Sequence, residues 1–355
     1  LDEKVINSIK DTAEVGRLKK SGFHLEFIRS KKQDFQFLLH RLTGSEEYFS
    51  AIADHANEMG YEIKSNYLHK NGSRINIALE EDIFKELGLQ YIPPELRESS
   101  KAVEAARNNK IPKLIDHSDL RGMIHCHSDW SDGKNTIREM ALRSKELGFE
   151  YFAICDHSQT ASYAGGLTVD DIYRQHEEID KLNDEGIGIP ILKGIESDIL
   201  ADGSLDYEPE VLEKFDMGVA SVHSHFNMPK EEMTRRIICA LQSPYTTMLG
   251  HPTGRMLLVR PPYKLDIKAV IDAAVENDKI IEINANPYRL DLSWENVIYG
   301  KEKGLKISIN PDSHKVDTLT DVRYGINIAR KGWLEASDVV NTLNYEDFMK
   351  NVIRK

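Results

Sequence analysis

Histidines and carboxylates close one apolar run after another along residues 118–355, at spacings that suit metal ligands. The first group is His125-Cys126-His127, followed by Asp132. Residues two apart on a strand share a face, so His125 and His127 can reach one ion while Cys126 points away. One such pair is weak evidence, but the pattern repeats. Ile154-Cys155-Asp156-His157, Gly194-Ile195-Glu196-Ser197-Asp198 and Ser221-Val222-His223-Ser224-His225 each end on a metal-competent side chain. So do Leu249-Gly250-His251-Pro252 and Asn310-Pro311-Asp312-Ser313-His314.

The candidate ligands are His125, His127, Asp132, His157, Glu196, His223, His251, Asp312 and His314. At three or four protein ligands per catalytic ion, with one shared carboxylate, this set suits three divalent ions. Mixed imidazole and carboxylate donors favour Zn²⁺, Mn²⁺ or Fe²⁺ over Ca²⁺ or Mg²⁺ alone. Closely spaced ions of this kind hydrolyse phosphate esters: they activate water, hold the phosphoryl oxygens and stabilise the leaving oxygen. Glu196 stands mid-set and is the natural bridging carboxylate. Glu196, Asp312 and His314 are the residues expected nearest the chemistry. Arg255 and Arg289 are expected to bind substrate phosphate, with Arg260 a third candidate. Ser158 and Tyr163, in the loop from Ser158 to Gly166, are expected to form a flexible rim that contacts substrate.

Other residues of the same types get quieter readings. His225 lines the site without ligating, and Asp198 supports it from behind. Asp156 orients a neighbour or caps a helix. Cys126 and Cys155 pack. His176 belongs to a helix surface or its packing, and His24, His40, His55 and His69 lie outside the ligand region.

These ligands need a scaffold that brings distant strand ends together. Strands are expected at Gly122–His127, Tyr151–His157, Ile191–Asp198, Met217–His223, Thr247–His251, Ile280–Asn286 and Lys306–Asp312. Helices are expected between them, at Ile137–Leu147, Val169–Leu182, Glu231–Leu241, Ile267–Glu276 and Trp294–Lys303. Alternation of this kind implies parallel strands with right-handed crossovers. The fold class is therefore α/β, a distorted (β/α)7 TIM-like barrel, with a doubly wound open sheet as the alternative. In such a barrel the C-terminal strand ends converge on one face, where active sites sit. No GxGxxG or Walker A pattern supports nucleotide binding.

The preceding region reads as a small α+β unit. Helices are expected at Phe35–Leu42, Glu46–Glu58 (with Ser45 as N-cap) and Glu80–Leu87, and Gly88 follows the last of them. Strands are expected at Tyr61–Leu68 and Ile75–Ala78, joined by a turn at Asn71-Gly72. Tyr91-Ile92-Pro93-Pro94 and the polar stretch after it mark a linker.

The composition is that of a globular chain: 355 residues, 40% apolar and 29% charged. The net charge of −12 argues against a general nucleic-acid binder, yet it is uneven. Residues 1–117 carry 18 Lys+Arg against 19 Asp+Glu, and the remainder 28 against 39. Three metal ions would offset much of the second excess at the point where a phosphate must bind. Three scattered cysteines fit a reducing compartment and give no disulfide framework. There is no membrane-length apolar run, and Leu1 to Lys10 do not resemble a signal peptide, so the expectation is a cytoplasmic protein.

The motifs together resemble a known family. His125-Cys126-His127-Ser128-Asp129-Trp130-Ser131-Asp132-Gly133, Cys155-Asp156-His157-Ser158, Gly250-His251-Pro252-Thr253-Gly254-Arg255 and Asn310-Pro311-Asp312-Ser313-His314 are similar to the PHP (polymerase and histidinol phosphatase) domain. They resemble in particular the PHP domain at the C-terminus of bacterial family X DNA polymerases. Leu42-Thr43-Gly44-Ser45-Glu46-Glu47 and Leu89-Gln90-Tyr91-Ile92-Pro93-Pro94-Glu95-Leu96-Arg97 resemble the thumb of those enzymes and its junction with the PHP domain. The resemblance implies a partial palm and thumb over residues 1–97, a linker over 98–117 and a PHP phosphoesterase domain over 118–355.

It also implies a partition of ligands. His125, His127, Glu196 and Asp312 would hold one ion, Glu196, His223 and His251 a second, and Asp132, His157 and His314 a third. The implied activity is 3′–5′ exonuclease-type processing of DNA ends in repair, with gapped or primer–template DNA as partner. A small-molecule phosphatase of the histidinol-phosphatase type and a structural PHP scaffold for a polymerase are the alternatives. The Gly-Ser-x-Arg-Arg and Asp-x-Asp patterns of a polymerase palm do not occur, and Glu26 stands where the third aspartate would be expected. Polymerase activity is accordingly not expected from this chain.

Overall fold

A computed structural model of the chain describes residues 15–20, 23–28, 30–64 and 67–353. The chain divides into two compact units, Leu1–Ile111 and Pro112–Lys355.

In the first unit β1 (Val15–Lys20) and β2 (Phe23–Ile28) pair antiparallel. Glu26 lies on β2, but its side chain, like Leu1 to Lys10, is outside the described residues. Helices follow at Phe35–Thr43 and Glu46–Glu58. The second opens on Ser45, whose hydroxyl accepts the Tyr48 N–H and satisfies one of the free donors of the first turn. The expected single strand Tyr61–Leu68 is instead a hairpin, β3 (Tyr61–Lys64) with β4 (Tyr67–Lys70). Asn71 and Gly72, both at positive φ, then turn the chain into the short β5 (Ser73–Arg74). The strand expected at Ile75–Ala78 does not form, because Asp82 accepts the N–H groups of Ala78 and Leu79 and starts the helix Glu80–Glu86. A further helix occupies Ser100–Arg107, within the stretch expected to be a linker.

The second unit is the expected parallel barrel. Its strands are β6 (Gly122–Cys126), β7 (Tyr151–Ile154), β8 (Ile191–Asp198), β9 (Met217–Ser221), β10 (Met248–Leu249), β11 (Ile280–Asn284) and β12 (Lys306–Asn310). They pair in chain order as one seven-stranded sheet, all parallel. Burial on both faces accounts for their nearly unbroken apolar runs. Ile124, Tyr151, Ala153, Cys155, Leu192, Met217 and Val219 form one buried cluster, and Phe152, Ile154, Ile195 and Ala220 belong to another, shared with the helices. Thr136 and Thr168 start the helices Ile137–Glu146 and Val169–Asp184 with capping boxes completed by Glu139 and Asp171.

The two edge strands meet only near their C-terminal ends, where His127 N–H donates to the Ser313 carbonyl (2.8 Å). Below that point Asn341 bridges them. It accepts the Ile309 N–H and donates to the carbonyls of Gly122 and Ile309. The barrel is thereby nearly closed with seven strands.

Most strands end earlier than their apolar runs suggest. β6 stops at Cys126, β7 at Ile154, β9 at Ser221, β10 at Leu249 and β12 at Asn310, each just before or among the ligands. Most of the ligands sit at or beyond these ends, while Glu196 is still paired within β8. His125 (φ 55°), His251 (φ 24°) and Asp312 (φ 50°) adopt left-handed backbone that L-residues seldom occupy, a form of strain that concentrates at functional sites. Simple alternation therefore does not explain how His125 and His127 converge. A break in register between Met123 and Cys126 and the bend at His125 do.

Candidate active site

Glu196, at the C-terminal end of β8 and 1% exposed, is the hub of the site. Five imidazoles surround its carboxylate: His251 Nε2 at 2.8 Å, His157 Nδ1 at 3.1 Å, His223 Nε2 at 3.3 Å, His125 Nε2 at 3.4 Å and His127 Nε2 at 3.5 Å. Asp312 lies beside it, with Oδ1 3.2 Å from His127 Nε2 and 3.8 Å from His125 Nε2. Asp132 Oδ1 faces His314 Nε2 at 3.2 Å and His157 Nε2 at 3.7 Å. All nine candidate ligands are thus brought together at one end of the barrel.

Three groups among them converge tightly enough to hold an ion: His125, His127 and Asp312; His157, Glu196 and His223; and His127, Asp132, His157 and His314. His127 and His157 each belong to two groups, so the three groups share side chains.

The electrostatics are those of a cation site. Burial alone would raise the Glu196 pKa, but His223, His157 and His125 hold it well below the usual carboxylate range. Asp312 is likewise lowered despite burial, by His125, His127, His314 and Arg289. Burial opposes charge on His223 and His314, yet nearby carboxylates push each up to about 9. For His223 these are Glu196 and Asp198; for His314, Asp132 and Asp312. His127 behaves oppositely: burial and the neighbouring His314 and His157 bring it down to about 3.

Several buried polar atoms of the cluster lack partners. His125 Nε2, both nitrogens of His127, Asp132 Oδ1, His157 Nδ1 and Glu196 Oε2 are buried without a hydrogen-bond partner. Polar atoms in this state are costly to bury unless something else satisfies them, and divalent ions would satisfy those that present a lone pair.

The supporting shell contains a residue that the ligand pattern misses. Glu282, fully buried in the middle of β11, accepts from His125 Nδ1 (2.5 Å), the His251 N–H (2.7 Å), Asn310 Nδ2 (2.9 Å) and Asn284 Nδ2 (3.0 Å). Its sequence signal is an acid within the apolar run Ile280-Ile281-Glu282-Ile283. A buried charge needs a partner, and this one fixes His125 so that Nε2 faces the cluster. Asp198 does the same for His223, at 2.6 Å from Nδ1. Asp156 accepts from Ser128 N–H, the Ser128 and Ser131 hydroxyls and Gln175, and so holds the loop that carries Asp132. Gly133 closes that loop, since a Cβ there would lie 2.6 Å from the Ser128 carbonyl group.

The expected substrate residues separate. Arg289 Nε is 3.4 Å from Asp312 Oδ2, at the site itself. Arg255 spends two donors on the carbonyls of Arg289 and Leu290, and so braces the Arg289 backbone. Arg260 donates to the Gly254 carbonyl and stacks over Phe226 at 4.0 Å. Tyr163 is 72% exposed, its ring 6.3 Å from that of His157, which is a rim position. Ser158 needs correction as a substrate contact: it is fully buried and its hydroxyl accepts the Asp198 N–H. The loop it begins is also pinned rather than flexible. Gln159 N–H donates to the Tyr207 hydroxyl, Thr160 N–H to Asp206, and Leu167 N–H to the His157 carbonyl. Gly166 serves close packing there, with a Cβ position only 1.9 Å from the Ser158 oxygen.

Of the residues read as bystanders, His176 is buried against Phe215 (4.9 Å). His40 and His55 are buried in the first unit, and Cys126 and Cys155 are buried packing residues. His225 is not among the side chains that converge.

Comparison with known proteins places this geometry. The family model for the DNA polymerase beta thumb matches residues 38–98, and that for the PHP domain matches residues 124–286. A probable phosphatase of Acetivibrio thermocellus is 33% identical over 188 residues, 51% of this chain and 73% of that protein. The chain belongs to the PHP family. DNA polymerase/3′-5′ exonuclease PolX of Bacillus subtilis is 38% identical over 325 residues, so that match runs through both units and covers 91% of this chain. The chain spans 57% of that relative's length. As the motifs anticipated, this is a PHP domain preceded by a polymerase-type thumb. Zinc-complexed histidinol phosphate phosphatase of Lactococcus lactis aligns over 59% of this chain and 94% of its own, at TM-score 0.43 and 18% identity. Among the described residues, no helix is long and apolar enough to cross a membrane.

Proposed function

We propose that this chain is a metal-dependent phosphodiesterase that removes nucleotides from DNA 3′ ends. The observation that carries the reading is the convergence of the candidate ligands on Glu196, with buried polar atoms of His125, His127, Asp132, His157 and Glu196 unpartnered, in a chain that also carries a polymerase-type thumb. The PolX relative is named for 3′-5′ exonuclease activity, which favours DNA over small phosphoesters as substrate.

His125, His127, Glu196 and Asp312 would hold one ion, Glu196, His223 and His251 a second, and Asp132, His157 and His314 a third. Bound Zn²⁺, Mn²⁺ or Fe²⁺ would supply Lewis acidity and lower the pKa of attacking water. The chain's own residues do the rest. Glu282 and Asp198 fix the ring orientation of His125 and His223. Asp156 sets the loop bearing Asp132. Arg289, braced through its carbonyl by Arg255, presents a guanidinium at Asp312, where it can pair with a phosphoryl oxygen. Burial of Glu196 and most of the imidazoles keeps bulk water from the reacting phosphate and strengthens each charge interaction.

The test is digestion of a 3′-labelled primer–template by the protein loaded with Mn²⁺, beside hydrolysis of a phosphomonoester such as histidinol phosphate. Stepwise shortening of the labelled strand, lost in Asp312→Asn, is the expected result. Fast monoester turnover without DNA cleavage would favour a small-molecule phosphatase. No hydrolysis of either at full metal occupancy would favour a scaffold.

A further inference from the structure

One wall of the mouth ends in an apolar tip. Between Met256 and Arg260, which exchange backbone hydrogen bonds (2.9 and 2.8 Å), the chain makes a tight turn through Leu257, Leu258 and Val259. Leu258 is fully exposed and Val259 is 71% exposed. Leu258 also sits at φ 65°, unusual for a bulky residue. Beside the turn, Tyr288 is 63% exposed, and its carbonyl accepts the Leu257 N–H at 2.6 Å.

This tip is held firmly. Arg255 grips the carbonyls of Arg289 and Leu290, and Arg260 grips the Gly254 carbonyl. It is also tied to the site, because Tyr288 directly precedes Arg289, whose guanidinium meets Asp312. Large apolar side chains held out in water beside two arginines suit an occupant with both an apolar face and a negative charge. A nucleotide has both: a base to stack and a phosphate to bind.

The ligands add a second constraint. Glu196 and His251 are 1% exposed, Asp312 4% and His157 5%, so the scissile phosphate must descend into a recess. A terminal nucleotide that leaves its stack to reach them does so at a cost of a few kcal/mol.

We propose that Leu258, Val259 and Tyr288 form an apolar platform that takes up the unpaired terminal base of a DNA 3′ end while its phosphodiester enters the mouth. This rests on the reading of the chain as a 3′-end phosphodiesterase. The platform compensates for lost stacking and gives no base specificity, since every base has an apolar face.

The test uses the full-length, Mn²⁺-loaded protein, a Leu258→Ser/Val259→Ser double variant and a Tyr288→Ala variant. Each is assayed on bis(p-nitrophenyl) phosphate, on a blunt 3′-labelled duplex, and on the same duplex with an abasic terminal nucleotide. In the variants kcat/KM on the ordinary duplex should fall roughly tenfold, in line with the loss of one stacking contact. Turnover of the small ester should stay within about twofold. On the abasic terminus the variants should match the wild type, because there is no base to hold.

An ordinary duplex cut equally well by wild type and variants would overturn the platform and leave the exonuclease reading standing. An equal loss on both duplexes would also overturn it, as general DNA affinity. A wild type that turns over the small ester but cuts no DNA would remove the reading and the platform together. Sedimentation completes the test: a wild-type dimer that the double variant dissolves would assign the tip to self-association instead.

Discussion

Glu282 offers the sharpest check on how the site is built. It contributes no ligand, yet it is buried and accepts four hydrogen bonds, two of them from the ligand residues His125 and His251. Replacement by Ala would strand four buried donors at about 1–3 kcal/mol each, and the protein would fail to fold before function could be read. Glu282→Gln is the informative change. Its amide oxygen can still accept from His125 Nδ1, but its NH2 group then meets the His251 N–H or Asn284 as donor against donor. The negative charge behind His125 is lost as well, and the ring becomes a poorer ligand. Losses of about 10–100-fold in metal affinity are typical when such a partner is removed, equal to roughly 1.4–2.7 kcal/mol. The assay is competitive Zn²⁺ titration against a chelator, with circular dichroism to confirm folding and activity followed as a function of Mn²⁺. The variant should need at least tenfold more metal for half-maximal activity, with KM for substrate unchanged once the site is filled. A folded Glu282→Gln variant that binds metal within twofold of wild type would refute the claim that this carboxylate orients the site.

Three further outcomes are expected. His223 and His314 are held up to about 9 by their carboxylate neighbours, and metal can bind only after they lose their protons. Metal affinity should therefore rise as pH increases from 6 toward 9 and level off above that, with proton release visible in calorimetry across buffers of different ionisation heat. Asp156→Asn turns one acceptor oxygen into a donor against Ser128, Ser131 or Gln175. It should cost about 1–3 kcal/mol of stability in urea unfolding and lower activity through the Asp132 loop. In the first unit, burial and Arg97 bring His40 down to about 3, whereas the unfolded chain titrates near 6.5. The unfolded state then binds more protons between these values, so stability is lost as pH falls below 6.5, by about 2 kcal/mol at pH 5. His40→Phe should flatten that part of the pH–stability curve, seen by comparing urea midpoints.

Most of the ligands were legible because they are polar residues ending apolar runs, and a buried polar side chain demands a reason. That logic works for His251 after Met248-Leu249 and for Asp312 after Ile307-Ser308-Ile309-Asn310. It stops at the shape of the strand end. Where the pleat gives way to left-handed backbone at His125, His251 and Asp312 is decided by closure of the barrel, and no local pattern records it. Rim and wall were confused for a related reason. Ser158 and Tyr163 share one loop and similar polarity, but hydrogen bonds to Asp198, Tyr207 and Asp206 turn one inward and leave the other exposed. Glu282 was hidden by its position inside a strand rather than at its end. In the first unit no Gly or Pro between Tyr61 and Leu68 marks the division into two strands.

The acidity of the second unit takes on a definite meaning against this geometry. Part of its charge excess lies off the surface, because Glu196, Glu282 and Asp312 are buried within one cluster of histidines. Such carboxylates are tolerated only where positive charge faces them. In the protein alone that charge comes as protons on His125, His223 and His314, which the carboxylates hold above their usual pKa. Protons and divalent ions therefore compete for the same lone pairs. The cluster changes from a site satisfied by protons to one able to bind an anion only when ions replace them. A DNA phosphate that approaches the protein without its ions would meet Glu196 and Asp312 balanced only by the protons on these histidines and by Arg289. It follows that metal occupancy governs substrate affinity as well as turnover, and that DNA affinity at the mouth should rise with metal even in a variant unable to complete the reaction.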